Sequence, residues 1–149
     1  MDTSVFNIRA INCSDFDEWS RLWKSYLTFY NTDLPSQIHQ VAFERLISDD
    51  DSEFNGLIAE RNGQPVGIAH YLFHRDLWKI EKVCYLQDLF VNPESRGLGV
   101  GRALIEAVYT KADEAGSPHV YWCTQEFNHE ARKLYDRVGH HTPFIVYER

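Results

Sequence analysis

The sequence has no apolar run approaching the ~20 residues needed to cross a bilayer, so no membrane-spanning segment is expected. Its first ten residues, MDTSVFNIRA, lack the basic start and apolar stretch of a secretory leader, and none is expected. Cysteine is scarce. Cys13, Cys84 and Cys123 are an odd number without CxxC spacing, which argues against a disulfide framework and for reduced thiols in the cytoplasm. Positive charge is also short: fifteen Lys and Arg face twenty-two Asp and Glu, for a net charge of −7. That balance disfavours generic binding to nucleic-acid phosphates and suits a cationic partner. No internal repeat, low-complexity tract or linker interrupts the chain. No Gly-Lys pair occurs anywhere, which excludes a Walker phosphate loop.

What is present is one domain's length, 149 residues, with a heavy aromatic load of nine Phe, eight Tyr and four Trp. Such a load suggests aromatic packing or an aromatic-lined pocket. VFNIRA (5–10) alternates as a short strand. Ser14 and Asp17 have the spacing of a helix-start box, and Phe16, Trp19, Trp23, Tyr26, Leu27 and Tyr30 follow at helical spacing. Ile38, Val41, Ala42, Leu46 and Ile47 mark a second helix, closed by the acidic run 48–53. Three strand-like runs follow at 54–61, 65–74 and 82–92, the first two joined by Asn-Gly, a strong hairpin signal. Trp78, in the turn before the third, reads as a lid or an exposed aromatic.

A helix carrying Val100, Ala103, Leu104, Ala107, Val108 and Ala115 on one face comes next, and GSP ends it. A buried strand at 119–125 precedes a helix with Ala131, Leu134, Tyr135 and Val138 on one face, capped by Gly139. HTPFIVYER returns as a last strand. The order βααβββαβαβ is a mixed α/β domain, in which 82–125 form a βαβ unit with parallel strands.

Three of the eight glycines fall within five positions at the mouth of the third helix: Gly97, Gly99 and Gly101. The first amides of a helix lack helical partners and lie at the positive end of its dipole. Without β-carbons those amides can face one anion at contact distance, flanked by Arg96 and Arg102. This is a recipe for a phosphate or pyrophosphate site. A Rossmann fingerprint fails, because its third glycine would fall at Arg102.

Arg96-Gly97-Leu98-Gly99-Val100-Gly101 resembles the pyrophosphate loop of the GNAT N-acetyltransferases: Arg or Gln, two residues, Gly, one residue, then Gly or Ala. LQDLFVNPESRGLGVGRALI is similar to that family's central strand, loop and helix. NHEARKLYDRVG (128–139) is similar to its second conserved segment. Within the family the chain looks most like the small histone, polyamine and D-amino-acid acetyltransferases.

The resemblance implies acetyl-CoA in a V-shaped split between strands 83–92 and 119–125. Backbone groups of Leu89, Phe90 and Val91 would pair with the pantetheine arm like an added strand. The amides from Gly97 to Arg102 would hold the pyrophosphate, and Asn128 would bond the cofactor, cap the last helix, or both. Tyr135 would be the general acid that protonates the departing thiolate; without the motif it would read as a core aromatic. Tyr26 and Tyr30 would line the acceptor pocket.

The base stays open. Gln87 stands where some relatives place Glu and cannot accept a proton. Asp88 is adjacent but expected on the opposite face, and Glu126 or a water relay are further candidates. The seven histidines make no recognised metal spacing, so no metal is expected. Cys84 and Cys123 read as buried, inert thiols. The resemblance implies a primary-amine acceptor: a polyamine, an amino acid or a lysine side chain. A non-catalytic acetyl-CoA sensor and a transferase of longer acyl groups are the alternatives. The last strand suggests a homodimer by strand pairing, against a monomer that tucks it beside 119–125.

Overall fold

Asn62 and Gly63 both have positive φ, 53° and 76°, the conformation whose twist matches two antiparallel strands in a tight hairpin. In the computed structural model, whose described residues are 6–149, this turn joins β2 (Asn55–Arg61) to β3 (Gln64–His74). β1 (Phe6–Ala10) pairs antiparallel with β2, and β3 pairs antiparallel with β4 (Val83–Val91). β5 (Val120–Tyr121) lies parallel to β4, giving the order β1-β2-β3-β4-β5. Val5, expected in the first strand, lies outside the described residues. The mixed α/β class is as expected.

Strand alternation sends side chains to two cores. On one face Ile58, Ile68 and Phe90 meet α1 (Phe16–Phe29) and α2 (Ser36–Leu46), through Trp19, Leu22, Trp23, Leu27, Phe43 and Leu46. Trp19 is fully buried and stacks on Trp23, with centroids 5.2 Å apart. On the other face Leu57, Ala59, Ala69, Tyr71 and Leu86 meet Leu104, Ile105, Val108 and Ala112 of α3 (Val100–Glu114). Leu134, Tyr135 and Val138 of α4 (His129–Val138) pack at the edge of that second core.

The expected helix start moves two residues upstream. Asn12, not Ser14, is the cap of a 3-10 turn (Cys13–Asp15) that leads into α1, and Asp15 closes the box by accepting from the Asn12 amide at 2.8 Å. Arg9 grips the same carboxylate with two bonds, at 2.7 and 2.8 Å, which ties the helix entrance to β1.

Two expectations fail near the chain's end, and a third, the Gly139 cap, holds with a different geometry. The strand expected over 119–125 is two residues long and half-buried, because β4 leaves it after Tyr85↔Tyr121 and nothing pairs with it on the other side among the described residues. Residues 142–149 form no strand; Phe144, Ile145, Val146 and Tyr147 are 74–88% exposed. Gly139 ends α4 with its amide donating to the Tyr135 carbonyl at 2.8 Å, but its φ of −150° is extended, not left-handed. Its glycine identity has a packing reason: a Cβ there would lie 3.0 Å from Cη2 of Trp122.

Candidate active site

β4 and β5 share only the pairs Cys84↔Val120 and Tyr85↔Tyr121. Beyond them the strands diverge and open a cleft. Leu86, Gln87 and Leu89 line its β4 side; Trp122 and Cys123 line the side that continues from β5. Tyr26 reaches in from α1, Tyr30 from the residue that caps its end, and Tyr135 from α4. These three tyrosines and Gln87 are expected at the site, and the fold brings them together; Leu86, Trp122 and Cys123 join them unexpected. Cys123, expected buried, is exposed, while Cys84 is buried with its thiol pKa pushed up to about 12 by burial.

A bulge in β4 sets the residues facing the cleft. His70 pairs with Asp88 and Tyr71 with Leu86, so Gln87 has no partner in the register. An extra residue shifts the side-chain period by one. Leu86 therefore joins the α3 core while Asp88 and Phe90 turn to the α1 side, and Gln87 stands exposed at the bulge.

Tyr135 packs edge-on to Trp122, with centroids 5.5 Å apart. Burial, helped by Tyr30, pushes its pKa up to about 12, so the phenol keeps its proton throughout the neutral range. Burial and then the Asp88 charge raise Tyr26, and the same two causes raise Tyr30. Asp88 is 8% exposed and accepts from His70 Nδ1 at 2.8 Å. His70 Nε2 in turn accepts from the Trp19 indole at 2.8 Å.

At the mouth of α3, Gly97 and Gly99 have φ of 79° and 85°, and a Cβ on either would meet nothing within 4 Å. Conformation demands glycine there, and open space lies outside the loop. The first helical bond runs from the Ala103 amide to the Gly99 carbonyl, at 3.0 Å, so the preceding amides face out without helical acceptors. At Gly101 neither conformation nor packing demands glycine: a Cβ there would make ordinary contact, 3.4 Å from Cδ2 of Leu134. These features fit a pyrophosphate. Arg96 is turned elsewhere. Its Nε donates to the Val91 carbonyl at 3.0 Å, and its guanidinium lies between the rings of Phe29 and Phe90. Arg102 pairs with Glu106 along α3.

Of the other expected residues, Leu89 and Val91 are half-buried on the β4 edge beside the cleft, and the Phe90 side chain is buried against α1. Leu98 is exposed, and the side chain of Val100, the first residue of α3, is buried in the core between that helix and the sheet. Asn128 does not cap α4 with its side chain; its Nδ2 donates to Thr124 Oγ1 at 3.2 Å. Glu126 is exposed and outside the cleft lining, its carbonyl taken by Arg132. Trp78 is an exposed loop aromatic, 88% accessible. His74 is bonded to Tyr121, and no group of three or more His, Cys, Asp or Glu among the described residues could hold a metal ion.

The sequence profile of the acetyltransferase (GNAT) family matches residues 16–140. The chain belongs to that family. A D-amino-acid N-acetyltransferase of Saccharomyces cerevisiae is 40% identical to the GNAT chain over 143 residues, covering 95% of it and 89% of the relative. A thialysine N-epsilon-acetyltransferase of Bos taurus is 34% identical over 74 residues, half of this chain and 43% of that one. The fold is shared with the aminoglycoside acetyltransferase AAC(6')-Iy, solved with a bisubstrate analogue of coenzyme A. The TM-score is 0.84 at 23% identity, over 98% of both chains. By family this GNAT protein is an acetyltransferase enzyme.

Proposed function

We propose that the protein moves the acetyl group of acetyl-CoA to a primary amine by direct attack of the amine on the thioester. The observation that carries this reading is the cleft at the β4–β5 divergence, with Tyr135 of α4 in its wall, and the glycine loop that follows β4, whose Gly101 lies against Leu134 of α4 and Val91 of β4. The amides from Gly97 to Arg102 hold the pyrophosphate, and the free edge of β4 at Leu89 to Val91 takes the pantetheine. Because Arg96 already occupies the Val91 carbonyl, Arg96 swings away or the arm bonds to the other edge groups. Asn128, tied to Thr124, borders the cofactor side.

The thioester supplies the activated acyl group. Tyr135, protonated at neutral pH, donates to the departing thiolate. Four aromatic rings, those of Tyr26, Tyr30, Trp122 and Tyr135, crowd the cleft, which supports a short acyl group over a long one. The relatives' names point to amino-acid amines as the acceptor, ahead of polyamines and protein lysines. The net charge of −7 suits any of these cations.

The unpaired cysteines support a cytoplasmic enzyme. A homodimer is supported by the exposed Phe144–Tyr147 segment and the outer edge of β5, unpaired among the described residues, which a second copy would cover by strand pairing. The reading is tested with an acceptor panel of D- and L-amino acids, thialysine, polyamines and lysine peptides, incubated with acetyl-CoA. Mass spectrometry should find an acetylated amino acid as the main product. Acetylation of none of the amines would overturn the reading.

A further inference from the structure

Attack on a thioester needs a neutral amine, and an alkylammonium near pKa ~10.4 is almost wholly charged at neutral pH. A proton has to leave, and the residues first in line cannot take it. Gln87 is an amide. Glu126 is exposed and outside the cleft lining.

Two carboxylates are buried among the described residues, Asp15 and Asp88. Asp15 is held by the Arg9 guanidinium. Asp88 has no such cation among the described residues. Its ring partner is His70, and that ring is fixed in one neutral form. The Trp19 indole N–H can only donate, so His70 Nε2, which receives it, carries no proton. The proton is on Nδ1 and points at Asp88, at 2.8 Å. A second proton on His70 would bring two N–H groups nose to nose, so His70 orients the carboxylate without neutralising it. A buried carboxylate with neutral donors alone is unfavourable unless a cation arrives.

Asp88 turns to the α1 side, where His70 and Trp19 hold it, and so does Phe90 two residues on. The Tyr26 ring packs edge-on to Phe90 at 6.3 Å between centroids and lines the cleft beside Tyr30 at 5.1 Å, which brings Tyr26 between Asp88 and the cleft. A phenol can donate to one group and accept from another at once. We propose that Tyr26 and Asp88 form the proton exit of this enzyme, with Asp88 as the sink and the Trp19–His70 pair as its positioning support. This inference rests on the acetyl transfer proposed above.

The ammonium N–H bond breaks as an O–H bond forms on Tyr26 Oη; the original Oη–H bond breaks as one forms on Asp88 Oδ. The products are a neutral amine, a neutral tyrosine and a protonated Asp88, which later releases its proton to solvent. Two phenols then divide the work: Tyr26 carries a proton out and Tyr135 delivers one to the thiolate. The titratable groups facing this pair are Tyr30 just past the end of α1, His70 from β3 and Tyr85 on β4 itself. Tyr135 of α4 lies beyond Tyr30, and His39 of α2 lies behind Trp19 and Trp23.

The test compares the wild type with Asp88→Asn and Tyr26→Phe, as kcat/KM for the amine from about pH 6 to about 10, by free-thiol release. Both variants should lose on the order of 10²-fold near neutrality and regain about tenfold per pH unit, as solution supplies the neutral amine. Coenzyme A affinity should be unchanged, and Asp88→Asn should melt no lower than the wild type, because it removes an uncompensated buried charge. A loss of equal size at every pH, or no loss, would overturn the relay, as would the same rising profile in Glu126→Gln with Asp88→Asn unaffected. A wild type that binds acetyl-CoA and acetylates no amine would instead overturn the transfer reading, and the relay with it.

Discussion

Gly139 lies against the indole of Trp122: a Cβ on it would meet Cη2 at 3.0 Å and Cζ2 at 3.4 Å. Trp122 in turn packs edge-on to Tyr135 and lines the cleft. The last helix is therefore set against the cleft wall by the absence of one methyl group. Gly139→Ala is expected to destabilise by about 1–3 kcal/mol through overpacking, read as a lower urea midpoint, and to lower kcat/KM by displacing Trp122. Since φ is extended here, a normal midpoint with normal activity would show that the ring yields freely.

Much of this fold is legible in its residues, because local chemistry and burial agree. The Asn62-Gly63 turn, the helical faces of α1 and α3, and the loop glycines at positive φ each follow from short-range rules. What escapes is what depends on a partner. The bulge at Gln87 exists only relative to β3, so the side to which Asp88 turns could not be read from alternation. Gly139 looks like any helix stop until Trp122 is placed beside it. FIVYER is strand-like in composition but forms no strand among the described residues. The His70–Asp88–Trp19 chain joins three segments far apart in sequence, and no motif announces it.

Blocking the glycine loop should weaken cofactor binding, with some loss of stability because the left-handed backbone at this position disfavours a side chain. Gly99→Val puts a β-branched side chain at φ 85°, with its bulk in the open space outside the loop. Coenzyme A affinity should fall at least tenfold, about 1.4 kcal/mol. Calorimetry on a folded variant that shows unchanged affinity would remove the loop from the site.

Tyr135→Phe keeps the ring against Trp122 and deletes the donor. The expected result is a kcat lower by roughly 10²-fold, with little change in melting temperature. Retained kcat would make Tyr135 a packing residue and leave thiolate protonation to solvent.

The Arg9–Asp15 pair gives a pH signature of folding. The Arg9 hydrogen bonds, outweighing burial and aided by the Asn12 amide, hold the Asp15 carboxyl below its ordinary value. A depressed folded pKa means the stabilisation is complete above the unfolded value of ~3.9 and is lost as pH falls through the folded one. Asp15→Asn should therefore cost about 1–3 kcal/mol at neutral pH, and the deficit should shrink in acid. A deficit independent of pH down to acid unfolding would assign the loss to the altered turn alone.

Assembly can be weighed directly. Light scattering at micromolar concentration should give twice the 17.5 kDa chain mass, and deletion of residues 144–149 should return it to one. A dimer that survives the deletion has its interface elsewhere.

The central claim is that acetyl-CoA held at the β4–β5 divergence is consumed by an amine. Thiol release from acetyl-CoA, followed with and without the best amine of the panel, tests it most directly. The account predicts saturable, amine-dependent release in step with acetylated product, and its weakening in Gly99→Val. Tight acetyl-CoA binding with no amine-dependent thiol release would contradict it and make the protein a sensor of the cofactor.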